Sequence, residues 1–141
     1  MAQRWRSTVE GRHLTGRRKR DTAPEVALRR ALHAAGARFR LQRRIDAGCT
    51  ADLVLPGRAV AVFVDGCFWH GCPTHGRKFW SGPNAELWAE KMARNRERDL
   101  RSTLLAEAAG WSVVRLWECT VREDVAACVQ AVLAHGAISR R

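Results

Sequence analysis

The segment Val64-Asp65-Gly66-Cys67-Phe68-Trp69-His70-Gly71-Cys72-Pro73-Thr74-His75 concentrates the reactive chemistry of this chain. It holds an acid, two thiols, two imidazoles and two adjacent aromatic rings. Thiols and imidazoles at short spacing suit a soft, tetrahedral metal. A carboxylate beside an imidazole offers a ligand for a hard cation and a proton acceptor for water. Adjacent aromatic rings present flat apolar surface that can enter between stacked bases. The segment follows an apolar run, residues 59–64, that reads as a buried strand, and strand ends are where open α/β sheets place their sites.

Groups from elsewhere must reach this segment before it can act. Thr22-Ala23-Pro24-Glu25 is a capping box with proline in the first turn, and it opens a helix with Leu28, Ala31, Leu32 and Ala35 on one face and Gly36 as its stop. Residues 38–45 alternate as a half-buried strand, 51–55 form a second strand, and Pro56-Gly57 turns into the third at 59–64. A long basic helix is expected over residues 85–109, with Leu87, Trp88, Met92, Leu100, Leu104, Leu105 and Ala108 inward. A fourth strand spans 111–118, and a capping box at Thr120-Val121-Arg122-Glu123 opens the last helix.

The predicted order is therefore α-β-β-β-α-β-α, an α/β fold with a mixed sheet and helices against its faces. A helical crossover makes the third and fourth strands parallel. Their ends then share one sheet edge, which brings Cys119 toward Cys67, Cys72 and His75 as a Cys3His zinc set. His70 is the rival ligand to His75, which is preferred because His70 directly follows Trp69 in the catalytic-looking stretch. The hairpin of the second and third strands brings Asp52 to the same edge, near Asp65 and His70. Carboxylates there suit Mg²⁺, and His70 can deprotonate water for attack on a phosphodiester. Phe68 and Trp69 read as a wedge or as satellite core packing, and Trp88 carries the same two readings.

With 141 residues the chain is long enough for a single domain with a real core. Its formal charge of +11 favours a polyanionic partner, nucleic acid or a membrane surface. No apolar run is long enough to span a bilayer and no apolar leader opens the chain, so nucleic acid is the expected partner and a bacterial-type cytoplasmic, nucleoid-associated location follows. The five cysteines are odd in number, which argues for metal ligation or free thiols over a disulfide framework, with Cys49 and Cys128 free. Residues 1–20 are expected to form a basic, flexible arm that lies along phosphates or stays solvated, ahead of one domain at 21–141.

Taken together, these motifs resemble the very-short-patch-repair (Vsr-type) mismatch endonucleases. The resemblance spans roughly residues 20–124. It rests on Asp21-Thr22-Ala23-Pro24-Glu25, Ala51-Asp52-Leu53-Val54, Val62-Phe63-Val64-Asp65-Gly66-Cys67-Phe68-Trp69-His70, Trp88-Ala89-Glu90-Lys91 with Asn95 and Arg98-Asp99, and Gly110-Trp111 leading to Trp117-Glu118-Cys119. It implies a restriction-endonuclease-like (PD-(D/E)xK-type) core that nicks duplex DNA 5′ to the thymine of a T:G mismatch left by 5-methylcytosine deamination. It implies Mg²⁺ held by Asp52 and the backbone carbonyl of Val64, His70 as general base, and Glu25 and Asp99 as supporting acids. Cys67, Cys72, His75 and Cys119 are the implied zinc ligands, and Phe68, Trp69 and Trp88 the implied DNA wedge. A monomer acting with mismatch-repair proteins is expected. Where some members carry Thr-His before Gly-Cys, this chain has Val64-Asp65, so Asp65 is a further acidic candidate that ligates or positions a metal. Two other readings stand beside this one: a restriction-type nuclease on paired DNA, and a zinc-stabilised nucleic-acid-binding module without catalysis.

Overall fold

A computed structural model describes residues 4–6, 21–76 and 79–138. Most of the expected basic arm, residues 1–3 and 7–20, lies outside the described residues. The elements in order are α1 Ala23–Ala34, β1 Arg40–Asp46, β2 Cys49–Leu55, a 3-10 turn Pro56–Arg58, β3 Val60–Asp65, α2 Cys67–His70, α3 Ala85–Ala108, β4 Ser112–Trp117, α4 Glu118–Glu123 and α5 Val125–Ile138. The expected succession is present, with the short helices α2 and α4 added.

The sheet has the spatial order β1-β2-β3-β4. β1 and β2 pair antiparallel, as do β2 and β3, and β3 pairs parallel with β4 from Val60↔Ser112 to Asp65↔Trp117. β2 and β3 are the inner strands, and β3 is the apolar centre, since Val60, Ala61 and Val62 are fully buried. On one face Leu28 and Leu32 of α1, Val121 of α4 and Val129 and Val132 of α5 pack on Leu53, Leu55, Val60, Val62, Val114 and Leu116. On the other face Leu105 of α3 joins Cys49, Ala51, Val54, Ala61 and Phe63. β1 is an edge strand carrying exposed Arg40, Arg43 and Arg44, charges that discourage edge-to-edge pairing.

The alternation of β2 breaks at Asp52. Ala51 packs on the α3 face, yet Leu53, two residues on, packs on the α1 face and Val54 on the α3 face again. A regular strand keeps residues i and i+2 on one side. The irregularity is matched across the hairpin by Gln42, which adopts a left-handed φ of 49° opposite Asp52. The β2–β3 ladder begins only at Leu53↔Val62. The two strands part at the residue that sequence reasoning nominated for metal binding.

Helix α3 corrects part of the expected inward face: Met92 and Leu105 do turn inward, but other members of the set do not. Leu100 and Leu104 are 63% and 56% exposed, and Ala108 is exposed too. The inward stripe runs instead through Met92, Asn95, Asp99, Ser102 and Ala106, whose spacing alternates three and four residues. Its middle is polar because it serves the site described below. The last helix also differs from expectation. Thr120 lies inside α4, which Trp117 precedes as cap, and Asp124 caps α5 instead by accepting the Ala127 N–H at 3.0 Å.

This burial pattern predicts a sharp contrast. Leu28→Ala, at a fully buried position, should cost about 2–5 kcal/mol in urea denaturation. Leu104→Ala should stay within about 0.5 kcal/mol of the parent. Equal losses would mean that α3 faces the core as the leucine pattern suggests.

Candidate active site

Asp52 stands where β2 and β3 separate, and its carboxylate takes over a bond the ladder has given up. Asp52 Oδ2 accepts the Val64 N–H at 2.7 Å. Its other partner is Glu25, whose side chain hydrogen-bonds with it. Glu25 is buried at the N-terminus of α1 and also accepts the Thr22 N–H at 3.0 Å through Oε2. The capping role and the site role are therefore held by the same carboxyl group. Burial, and then the hydrogen bond with Glu25, push the Asp52 carboxyl up to about 8, against the pull of the Val64 N–H. Two carboxyls this close share a proton unless a cation replaces it. Hard cations such as Mg²⁺ take one or two carboxylates plus substrate phosphate and water, which this pair fits.

Asp65 does not join that pair. Val64 packs toward the α1 face and Phe63 toward the α3 face, so strand alternation turns Asp65 to the α3 side, away from Asp52. There Arg115 Nη1 donates to Asp65 Oδ1 at 2.9 Å and Oδ2 at 3.1 Å. His70, on α2, places Nδ1 at 2.6 Å from Asp99 Oδ2 and 3.8 Å from Asp65 Oδ1. A carboxylate only accepts, so Asp99 puts the ring proton on Nδ1 and leaves the Nε2 lone pair of the neutral ring free to take a proton. Burial lowers the imidazole pKa, but the Asp99 hydrogen bond and the charges of Asp65 and Asp99 outweigh it and leave it raised. Burial likewise raises the Asp65 carboxyl, with Arg115 opposing. The Asp65, His70 and Asp99 side chains are close enough together to hold a metal ion, although Asp65 already holds the Arg115 guanidinium.

The thiols gather on the far side of α2. One potential ligand atom from each of Cys67, Cys72, His75 and Cys119 lies within 4.8 Å of all the others. Cys72 Sγ is 3.7 Å from Cys119 Sγ and 3.8 Å from His75 Nδ1. Ligands about 2.3 Å from a tetrahedral zinc stand roughly 3.8 Å apart, so the spacing fits. His70, engaged with Asp99, is not in this group. Burial pushes the Cys67 thiol up to about 12. At Cys72 burial also opposes ionisation, but hydrogen bonds from His75 and Thr74 outweigh it and bring the thiol down to about 6. Gly76 closes the turn, with its N–H on the Cys72 carbonyl at 2.7 Å. A Cβ there would stand 2.5 Å from that carbonyl oxygen, so only glycine fits. The Cys67 N–H is held by Glu118 Oε1 at 3.1 Å, tying α2 to the start of α4 beside Cys119.

A family model for the DNA mismatch endonuclease Vsr matches residues 6–82, more than half of the chain. The chain belongs to the Vsr family. It is thus a DNA endonuclease, and among the described residues no helix is long and apolar enough to cross a membrane. Among its Vsr-family relatives, the type II nicking enzyme V.NaeI of Lentzea aerocolonigenes is 41% identical over 88% of this chain and 76% of its own. The type II nicking enzyme V.XorIIP of Xanthomonas oryzae pv. oryzae is 42% identical over 75% of this chain and 76% of its own. The Escherichia coli DNA mismatch endonuclease Vsr is 36% identical over 73% of this chain and 65% of its own.

In this Vsr-family chain the three expected wedge residues meet in one aromatic cluster. Phe68 stands edge-on to Trp69 at 4.9 Å and to Trp88 at 5.5 Å, and Trp69 lies 6.0 Å from Trp88. All three are half-buried, between the two readings of core and exposed wedge. Sequence reasoning missed Trp80, which stacks on Trp88 at 5.1 Å, and Trp5, which meets Trp88 edge-on at 4.8 Å. The Arg6 N–H donates to Asn84 Oδ1 and Asn84 Nδ2 to the Arg6 carbonyl, so this part of the expected arm is pinned at the start of α3. It also missed Arg115. The available signal was a lone arginine inside the apolar strand 112–117.

The Asp52–Glu25 pair sets a pH dependence of stability. The folded protein holds the Asp52 proton more tightly than the unfolded chain, so its contribution is full below the ordinary aspartate range and is lost as pH rises through about 8. An asparagine mimics the protonated side chain. Without divalent cations, Asp52→Asn should melt above the parent protein at pH values beyond about 8 and converge with it in acid. Melts followed by circular dichroism check this, and a variant that melts lower at every pH would contradict it.

Proposed function

We propose that the chain nicks duplex DNA 5′ to the thymine of a T:G mismatch, the product of 5-methylcytosine deamination, within a restriction-endonuclease-like (PD-(D/E)xK-type) core. The observation that carries this reading is the placement of two carboxylate groups about one strand end. Asp52 with Glu25 lies on one side of the β3 main chain, and His70 held by Asp99 lies on the other. The first group suits the cation and the second suits the proton.

Asp52, with the Val64 carbonyl, would hold Mg²⁺, and Glu25 would support it. When bound, the cation supplies positive charge against the scissile phosphate and the leaving 3′ oxygen. His70 takes the proton of the attacking water at Nε2, and Asp99 keeps the ring in the required tautomer and stabilises the imidazolium that forms. The products carry 5′-phosphate and 3′-hydroxyl ends. Cys67, Cys72, His75 and Cys119 would hold a structural zinc, tying the start of α2 to the 72–75 turn and to α4. Phe68, Trp69 and Trp88 enter the duplex beside the mismatch, where unstacking costs roughly a few kcal/mol and is cheapest at a mispair. The reading includes a monomer with one domain at 21–141 and a basic arm at 1–20 that follows phosphates, with mismatch-repair proteins acting alongside. It is supported by the family match and by the E. coli relative's name. The two relatives named type II nicking enzymes favour strand nicking and keep a paired-DNA target as the rival.

Labelled duplexes with T:G, C:G or T:A at one position, incubated with Mg²⁺ or EDTA, test the reading. Nicking confined to T:G and abolished by EDTA is expected; equal cleavage of C:G would favour the restriction-type alternative. Asp52→Ala should bind the T:G duplex and leave it intact. Cys119→Ser should purify without stoichiometric zinc and melt at lower temperature, and an unchanged melting curve would remove zinc from that group.

A further inference from the structure

Arg115 lies on β4 opposite Phe63 in the parallel register, with its guanidinium 4.3 Å from the centre of the Phe63 ring. All three guanidinium nitrogens are engaged. Nη1 donates to both oxygens of Asp65. Nη2 donates to the Asp99 carbonyl at 2.9 Å and to Ser102 Oγ, and Nε donates to Thr103 Oγ1 at 2.7 Å. A planar fork can satisfy these directions at once, whereas a lysine ammonium cannot.

The arrangement solves a competition. The His70 Nδ1 proton faces two carboxylates, Asp99 at 2.6 Å and Asp65 at 3.8 Å. Arg115 takes Asp65 and fixes the turn of α3 from which Asp99 projects. Without the guanidinium, Asp65 would lose both bonds and stand 3.8 Å from Nδ1 as a free acceptor, competing with Asp99 for its proton. The ring would then be drawn toward the wrong carboxylate, and Nε2 would swing away from the attacking water.

We propose that Arg115 is a positioning residue for nicking: it withholds Asp65 from His70 so that Asp99 alone orients the base. This rests on the reading of His70 as the base. The effect belongs to the chemical step, because the hydrogen bonds of Arg115 go to Asp65, to the Asp99 carbonyl and to their neighbours on α3, while its charge also acts on the His70 ring directly.

Single-turnover nicking of a T:G duplex, with DNA affinity measured in parallel, tests the assignment. Arg115→Met should slow nicking on the order of 10–100-fold, the usual cost of losing an orienting partner, with affinity unchanged. Adding Asp65→Asn to Arg115→Met should restore most of the rate, because the competing carboxylate is gone while the arginine is still absent. A role in holding β4 to α3 alone would leave the double variant as slow as the single. Should Arg115→Met fail to fold in circular dichroism, the neutral but polar Arg115→Gln with and without Asp65→Asn is read the same way. Parental rates in the single variant, an equal loss of affinity, or no rescue would each overturn the proposal. His70→Ala separates the two levels: continued nicking there removes the base and this proposal with it. An inactive His70→Ala beside a fully active Arg115 variant removes this proposal alone.

Discussion

The interaction on which the rest of the site depends is the hydrogen bond from the Val64 N–H to the Asp52 carboxylate. A buried main-chain donor must find a partner, and here the neighbouring strand does not supply it. β2 loses its alternation at Asp52, Gln42 takes up a left-handed conformation opposite, and the ladder resumes only at Leu53. The side chain of Asp52 fills the gap left by the main chain. It can do so only by standing inside the sheet's end, half-buried and facing Glu25, where its charge is costly. The same geometry that opens the strands therefore creates a carboxylate pair with a strong demand for a proton or a cation.

The sheet then acts as a partition between charges. Glu25 and Asp52 lie on the α1 side, while Asp65 and Asp99 lie on the α3 side with Arg115 beside them. Four carboxylates around one strand end would repel strongly if they faced one another in a low-dielectric interior. Separation by the β3 main chain, and a guanidinium on the side where the base sits, lets both groups persist. The cost is visible in α3, which gives its inward stripe to Asn95, Asp99 and Ser102 and leaves Leu100 and Leu104 to solvent. Asn95 donates to the Trp69 carbonyl, so the same stripe also fixes the short helix that carries His70.

That short helix, α2, joins three kinds of chemistry in a single turn. Cys67 at its start reaches the thiol–imidazole cluster, His70 at its end reaches Asp99, and Phe68 and Trp69 between them enter the aromatic cluster. One turn of helix cannot hold itself in water, since nucleation costs more than a single hydrogen bond returns. Its conformation is imposed by outside partners: Glu118 on the Cys67 N–H, Asn95 on the Trp69 carbonyl, and Trp80 and Trp88 around Phe68. A shift in any of them moves base, rings and thiols together.

Much of this was legible in the sequence. The Thr22–Glu25 capping box, the apolar run of β3, the hairpin at Pro56-Gly57 and the crossover to β4 are local patterns, and they sufficed to bring Cys119 to Cys67, Cys72 and His75. Local patterns could not tell which face a site residue would occupy. Asp65 was expected beside Asp52, but strand alternation turned it to the opposite side, and a break in alternation at Asp52 has no sequence signature of its own. Leu100 and Leu104 of α3 misled because helical periodicity identifies stripes without saying which one faces inward. That choice was made by the polar groups waiting at the sheet end. Residue types and spacing thus determined which chemistry the chain carries. Tertiary structure decided which carboxylate meets which partner, because partnership depends on distances of a few ångströms across elements remote in sequence.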